Sequence, residues 1–268
     1  MSTTYSEILT PSLSVEQLSL GPAELLQREH YDRIAADYEA HYGDAASLEY
    51  RRRFIYQPMF DGLNLEGMNV LDAMCGSGHM AEYVISRRAA LTGIDISPEE
   101  IRRFRDRWPE AHGVCRSLLD TGMKAEAFDC VAVVGGLHHL HPHLGAAIRE
   151  IHRLLKPGGT FCFMEPHAGS FPDVLRRLWY RCDSLFSDNE AAIDTDGLQA
   201  DFAAYFTFNR MTYQGNIAFL LVLNSLVFRI PLPLKPIYSP ALMACEAAAS
   251  KLQSKSTACY AIGQWRKK

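Results

Sequence analysis

Apolar and polar residues alternate in blocks between positions 68 and 166, and these blocks predict a parallel sheet. Five short apolar runs have the length and β-branched content of buried strands: residues 68–74, 90–95, 112–118, 128–135 and 160–166. Segments with helical spacing separate them, among them one from Pro142 to Leu155 that Lys156-Pro157-Gly158-Gly159 should terminate. Strands that alternate with helices predict an α/β fold with helices on both faces of the sheet.

The two ends of the chain differ from this pattern. Residues 22–60 are predicted to form helices, with Ile34, Tyr38 and Tyr42 on one face, so residues 1–60 are expected to form a helical cover. Residues 61–268 would form the main domain, with an insertion at about 167–256 before the last strand. The apolar run Ile217 to Phe228 is too short to span a bilayer and predicts a buried helix.

Composition narrows the class of protein. The formal net charge of −4 and the 22% of charged residues give no basic surplus, so we expect no nucleic-acid partner. The 7 cysteines include no CxxC pair, which argues against a disulfide framework or a zinc ribbon. The N-terminus lacks a signal-peptide pattern, and we expect a cytoplasmic protein without an integral membrane span.

A glycine loop carries the most specific chemistry. The segment from Val70 to Gly78, VLDAMCGSG, predicts a strand, a tight turn and the start of a helix. A G-x-G-x-x-A motif, typical of dinucleotide-binding loops, begins at Gly76. Without side chains, Gly76 and Gly78 would let a ligand approach the backbone. Asp72 before the turn would repel a pyrophosphate but suit a cationic ligand, and Asp95 after the second strand is placed for ribose hydroxyls.

With these motifs the chain resembles the class I S-adenosylmethionine-dependent methyltransferases over about residues 68–166. VLDAMCGSG, LTGIDIS, FDCVAVVGGLHHL and LLKPGGTFCFMEP occur in the order and at the spacing of that family. The resemblance implies a Rossmann-like seven-stranded sheet in the order 3-2-1-4-5-7-6, with strand 7 antiparallel, and S-adenosylmethionine as cofactor.

The resemblance also implies which residues contact the cofactor. The methionine end would be bound by Asp72, Cys75, Gly76 and Gly78, with Tyr31 or Tyr38 packing over it. The ribose would be bound by Asp95, the adenine by Ile96, and the cofactor's amino group by the carbonyl of Gly135. Ser117 and Leu118 occupy the place where the family often has an aspartate for the adenine amino group, and Met74 replaces the usual glycine.

Histidines after the fourth strand are the candidates for acid–base chemistry. Methyl transfer to a hydroxyl needs a base, and His138 or His139 can act as one, with Glu165 orienting that histidine or the substrate. The alternative is that these histidines are structural. Their spacing does not favour a metal site. Arg51, Arg52 and Arg53 could pair with the cofactor carboxylate, but a solvated helix face is the preferred interpretation.

The acceptor is the least determined part of the interpretation. The aromatic-rich insertion favours a small apolar or aromatic molecule of secondary metabolism, methylated on oxygen rather than nitrogen or carbon. It can equally form the core or the interface of a homodimer. Two other functions remain open: an NAD(P)-dependent oxidoreductase using the same glycine turn, and a catalytically inactive cofactor-binding partner subunit.

Overall fold

A seven-stranded sheet forms the centre of the molecule in the computed structural model, which describes residues 21–180 and 191–268. Its strands are β1 (Asn69–Ala73), β2 (Ala90–Asp95), β3 (His112–Cys115), β4 (Phe128–Val134), β5 (Leu155–Pro166), β6 (Phe206–Gln214) and β7 (Tyr260–Lys267). The order is β3-β2-β1-β4-β5-β7-β6, and β7 runs antiparallel to β5 and β6. The predicted fold class and strand order are therefore confirmed.

Helices cover the sheet on both faces. They are α1 (Pro22–Tyr42), α2 (Ala45–Tyr50), α3 (Ala81–Ile85), α4 (Pro98–Arg107), α5 (Leu144–Leu154), α6 (Phe171–Tyr180), α7 (Thr195–Asp201) and α8 (Lys235–Ala249). Helix α2 continues through a π-helical stretch, Arg51–Tyr56, and a short α-turn, Gln57–Met59. None of the helices in the described ranges is long and apolar enough to cross a membrane.

Successive side chains of the central strands enter two separate cores. Val70 and Cys130 belong to one buried cluster, whereas Leu71 and Val131 belong to the other. This alternation follows from the pleat of a strand, and burial of both clusters explains the nearly continuous apolar runs in the sequence. Because β1 to β5 run parallel to one another, their carboxyl ends lie at one common edge of the sheet.

Two predicted boundaries need correction. Leu155 pairs with Phe128, so β5 begins there and contains the Lys-Pro-Gly-Gly segment that was expected to end a helix outside the sheet. The segment Ile217 to Phe228 is not a regular buried helix, because it passes into a π-helical turn at Phe219–Leu223 and residues 224–228 form turns. Among the described residues of the insertion, the longest helix is α8.

The insertion is anchored to the N-terminal helices by buried polar contacts. Glu246 on α8 accepts a 2.9 Å hydrogen bond from the Tyr50 hydroxyl, and Lys235 donates to the carboxylate of Asp44 and, at 2.7 Å, to Ser47. The Lys235 side chain is only 1% exposed, so these bonds compensate its desolvation. The predicted division into residues 1–60 and 61–268 stays a prediction.

Candidate active site

A cavity of about 1120 Å³, including its open mouth, lies at the carboxyl edge of β1, β2 and β4. The described lining contains nine of the predicted site residues: Asp72, Cys75, Gly76, Asp95, Ile96, Ser117, Leu118, Gly135 and His139. Gly78, His138 and Glu165 do not belong to this lining. Tyr31 belongs to α1, but its side chain lies outside what the structure describes.

The two glycines of the loop have different roles. Gly76 lines the cavity with φ +52°, and its amide donates a 2.9 Å hydrogen bond to Asp95. Gly78 has φ +85°, and a Cβ there would lie 2.6 Å from Phe104 on α4. The expectation that Gly78 admits a ligand is therefore corrected: its missing side chain lets the turn pack against α4.

A buried carboxyl and a buried guanidinium line the end of the cavity next to β1. Asp72 is 4% exposed, and burial, together with the negative charge of Asp95, raises its pKa to about 8 against the pull of Arg51. Arg51 is 7% exposed and hydrogen-bonds Tyr38 and Tyr56, while its buried Nε has no partner among the described residues. The predicted solvated arginine face is thus wrong for Arg51.

These two side chains provide a direct test of whether the cofactor fits. An uncompensated buried carboxyl favours a cationic ligand group, and an unsatisfied buried Nε–H favours an acceptor such as a carboxylate. The methionine end of S-adenosylmethionine presents an ammonium group and a carboxylate. The residues present therefore match the charges of the cofactor that the resemblance implies.

Asp95 organises the next turn. Its Oδ1 accepts the amide of Ser97 at 3.0 Å and its Oδ2 accepts the amide of Gly76, while burial raises its pKa. Ser97 caps α4 by accepting the amide of Glu100 at 3.1 Å. Because Asp95 already occupies the Ser97 amide, the Glu100 side chain does not form a capping box with Ser97. Glu100 lines the cavity instead, where burial raises its pKa to about 7.

Three carboxylates of α1 bind three serines at the strand ends. Ser77, Ser97 and Ser117 follow β1, β2 and β3, and each donates its hydroxyl to a different carboxylate. The bonds are Ser77 to Glu39 at 2.7 Å, Ser97 to Asp32 at 2.6 Å, and Ser117 to Glu24. Helix α1 is therefore fastened across three neighbouring strands, over the cavity.

Glu39 has two further contacts. His79 Nε2 lies 2.9 Å from its Oε2, and Arg107 donates to its Oε1 at 3.2 Å. The hydrogen bond from His79, reinforced by Ser77 and Arg107, lowers the pKa of Glu39 to about 2. Burial lowers the pKa of His79. The C-terminal half of α1 is thus attached to the glycine loop by an ionised carboxylate.

The loop after β4 is built around Glu165, which is fully buried at the end of β5. Its carboxyl accepts the amides of Gly136 at 2.8 Å and Leu137 at 2.7 Å, and lies 2.8 Å from His138 Nδ1. Burial raises the pKa of Glu165 to about 8 and lowers that of His138 to about 3. Of the two candidate bases, His138 or His139, the first is therefore directed into this buried network.

His139 reaches the cavity from the same loop. Its ring centroid lies 3.8 Å from that of His138, whose ring therefore supports it from behind. Gly135, with φ +66°, also lines the cavity, and a Cβ there would meet open space. The histidine pair thus lies in the predicted loop, but the local sequence HHL does not tell which ring faces the cavity.

Sequence reasoning missed several lining residues: Glu24, Arg28, Tyr56, His79, Glu100 and Arg116. A signal existed for the α1 contacts, because Ser77, Ser97 and Ser117 recur every 20 residues. Nothing in the run Arg51-Arg52-Arg53 indicates that its first arginine is buried in the cavity wall. Within residues 21–180 and 191–268, no group of three or more His, Cys, Asp and Glu side chains is arranged to bind a metal ion.

Comparisons with known proteins agree with this geometry. Residues 70–159 match the methyltransferase-domain family. An uncharacterized methyltransferase of Synechocystis is 33% identical over 119 residues, covering 44% of this chain and 56% of the relative. Malonyl-[acyl-carrier protein] O-methyltransferase of Salmonella typhimurium is 30% identical over 174 residues, covering 61% of this chain and 64% of the relative. The chain thus matches between half and two thirds of these relatives' lengths.

Among solved structures, magnesium protoporphyrin IX methyltransferase from Synechocystis with bound S-adenosylmethionine has a TM-score of 0.60. It is 13% identical and covers 94% of this chain and 100% of its own, so it supports the fold alone. The sheet order and the loop after β1 thus agree with what the resemblance to the class I S-adenosylmethionine-dependent methyltransferases implies, and residues 70–159 match the methyltransferase-domain family.

Proposed function

We propose that this protein transfers the methyl group of S-adenosylmethionine to a small-molecule acceptor, and that the acceptor atom is an oxygen. The observation that carries the proposal is that the buried carboxyl of Asp72 and the buried guanidinium of Arg51 line the same cavity. A pyrophosphate would gain nothing from a carboxyl at this position. The pair therefore favours the methionine end of this cofactor over a dinucleotide.

Each end of the cofactor has candidate partners in the cavity. Asp72 would bind the ammonium group and Arg51 the carboxylate, while the Asp95 carboxylate retains free lone pairs for ribose hydroxyls. Ile96 and Leu118 would pack against the adenine. When bound, the cofactor supplies a methyl group already activated by a sulfonium, so the protein's main task is to align the acceptor with it.

An oxygen acceptor is favoured by the imidazole in the cavity wall. A hydroxyl must lose its proton during methylation, and His139 is the lining residue after β4 that can accept it. Glu165 and His138 act as positioning residues, since they order the loop that carries His139. The name of the Salmonella relative, an O-methyltransferase, points to the same class of acceptor.

The acceptor is proposed to be apolar or aromatic. Tyr38, Tyr56, Met74, Val134 and Leu140 line the cavity together with the charged groups. Apolar and aromatic walls with a few polar groups are typical of sites for small molecules. An acceptor of this kind would bury its ring or chain against these side chains and present its hydroxyl to His139.

Two measurements test the proposal. Titration calorimetry with S-adenosylmethionine, its demethylated product and NAD should show binding of the first two and none of NAD. Transfer of a radiolabelled methyl group should then be followed to a panel of phenols, carboxylic acids and amines, with label appearing on oxygen. Tight NAD binding would contradict the proposed cofactor chemistry. Cofactor binding without transfer to any acceptor would instead favour an inactive partner subunit.

A further inference from the structure

Five apolar side chains are exposed at the carboxyl edge of β5 and β6, the edge at which the cavity opens. Phe171, Val174 and Leu175 on α6 are 68%, 45% and 52% exposed. Leu252, in the loop before β7, is 89% exposed, and Ile217, after β6, is 46% exposed. We call these five residues the apolar patch. Exposed apolar groups of this number, gathered at one edge, indicate an interaction surface.

The described part of helix α6 exposes its apolar side chains to solvent, whereas an ordinary surface helix buries them. Asp173 is 5% exposed and accepts the Gly169 amide at 3.0 Å and an Arg176 N–H at 2.6 Å. Phe171, Val174 and Leu175 are spaced three and four residues apart, so they share the opposite, exposed face. The buried ionic contacts therefore fix α6 with Phe171, Val174 and Leu175 toward solvent.

Hydrogen bonds join the three segments that carry the patch. The Phe171 amide donates to the Ser256 carbonyl at 2.8 Å. Asn216, next to Ile217, donates to Gln253 Oε1 at 2.8 Å, and Gln253 in turn donates to the Gly215 carbonyl at 2.6 Å. The patch thus belongs to one connected platform rather than to independent loop tips.

Cationic side chains accompany the patch, although the whole chain carries a net charge of −4. Lys251 is exposed and adjoins Leu252, and the Arg177 side chain is 61% exposed on α6, with its Nε 3.4 Å from Asp173 Oδ2. Lys255 is 41% exposed and pairs with Asp196, which is exposed, as is the neighbouring Asp194. Exposed leucine and phenylalanine flanked by lysine and arginine match the interface of an anionic lipid bilayer.

We propose that the apolar patch docks this protein reversibly on the surface of an anionic membrane, with Leu252 and Phe171 entering the headgroup region. The flanking cations then contact lipid phosphates, and no membrane-spanning segment is needed. The cavity lies at the same edge of the sheet as the patch, so if the proposed methyl transfer is correct, an acceptor dissolved in lipid would be close to it. The docking itself does not depend on that activity.

Cosedimentation with vesicles tests the proposal directly. The full chain should pellet with phosphatidylglycerol-containing vesicles and much less with pure phosphatidylcholine, and salt should weaken its binding. Leu252→Ser and Phe171→Ser should each lower the partition coefficient about tenfold, as the loss of one inserted apolar side chain implies. Lys251→Glu should reduce binding only to the anionic vesicles.

Tyr205→Ser is the matched control, because Tyr205 is 40% exposed but precedes β6 at the opposite edge of the sheet. It should leave vesicle binding unchanged. Leu252 is almost fully exposed, so its substitution leaves the fold intact. Failure of the wild-type chain to pellet with either vesicle would overturn the proposal. So would patch variants that bind vesicles normally but lose self-association in sedimentation velocity, which would make the patch a protein interface.

Discussion

Glu24 and Ser117 are 93 positions apart in the sequence, yet their side chains hydrogen-bond across the cavity wall. Ser117 follows β3, where related proteins often have an aspartate of their own for the adenine. In this chain the first turn of α1 brings a carboxylate to the same place, and the other Glu24 oxygen accepts the Gly21 amide at 2.9 Å. The helix that covers the cavity therefore also supplies part of its chemistry.

The three serine–carboxylate hydrogen bonds predict how firmly α1 is held over the cavity. Glu24, Asp32 and Glu39 are eight and seven residues apart, close to two helical turns, so all three lie on one face. Replacing Ser77, Ser97 and Ser117 together by alanine should raise amide hydrogen exchange in α1 and speed cofactor release. Each lost bond is worth about 0.5–1.5 kcal/mol, or roughly 2- to 12-fold in the opening equilibrium.

Ser86→Ala is the control for these serine substitutions. Its hydroxyl donates to the Tyr83 carbonyl at 3.1 Å, away from α1. Hydrogen exchange measured by mass spectrometry should leave α1 of that variant as protected as in the wild type. Equal protection of α1 in the triple variant would show that the three serine bonds do not hold the helix down.

A second prediction concerns the pH dependence of cofactor binding. The pKa of Asp72 is raised to about 8, so its carboxyl is protonated at pH 7 in the free protein. A cationic ligand selects the ionised form, and the affinity should rise about tenfold per pH unit from pH 6 to 7.5. Calorimetry in buffers of different ionisation enthalpy should detect the released proton.

Two variants separate Asp72 from its neighbour Glu100, whose pKa is raised to about 7. Asp72→Asn should bind the cofactor weakly, and its affinity should not change between pH 6 and 7.5. Glu100→Gln should retain most of the pH dependence of the wild-type affinity. Folding stability should depend on pH in the opposite direction. Because the pKa of Asp72 is raised in the folded protein, its contribution to stability is fully present below the pKa of an unfolded aspartate and is lost as pH rises through about 8. An unchanged slope in Asp72→Asn would remove Asp72 from the cofactor site.

A third prediction concerns Met74, which occupies a left-handed conformation with φ +62°. This conformation explains why glycine is usual there, because a side chain costs roughly 1 kcal/mol or more in it. Met74→Gly should therefore fold with a melting temperature within a few degrees of the wild type and still bind the cofactor. Loss of the fold would mean that the packing of Met74 outweighs its backbone strain.

Gly136 provides a coupled test of the same contact. A Cβ at Gly136 would lie 2.8 Å from Met74 Sδ, so Gly136→Ala alone should destabilise the protein by about 1–3 kcal/mol. The double variant with Met74→Gly should recover much of that loss in thermal unfolding. Additive effects would contradict direct packing of the two residues against each other.

The sequence predicted this fold well because its evidence is local. The first two strands carry an acidic residue at or just before their carboxyl ends, Asp95 and Asp72, and a parallel sheet gathers such ends together. The strand order, in contrast, came from family resemblance, since alternation of strands and helices does not order the strands. The start of β5 was misjudged because Gly158-Gly159 looks like a turn but pairs within the sheet.

The site was less predictable because its remaining groups come from distant segments. Arg51 is buried while Arg52 pairs with Glu49 on the surface, and three consecutive arginines give no local sign of that difference. The burial of His138 rather than His139 depends on Glu165, which is 27 residues further along the chain. Tertiary contacts of this kind decide which member of a polar run faces a ligand.

The last prediction separates a base from its supports. His139→Ala should lower turnover of a hydroxyl acceptor by about 10²–10⁴-fold, the usual loss on removing a positioned base, and should leave cofactor affinity nearly unchanged. His152→Ala is the control, because His152 lies on α5 against Tyr205 and Phe206, away from the cavity. His138→Ala and Glu165→Gln should lower the melting temperature as well as turnover, since both residues belong to the buried network under the loop.

If His139→Ala retained more than about a third of wild-type turnover, no positioned base would be at work. The acceptor would then be an amine or carbon that is already nucleophilic, methylated through alignment alone.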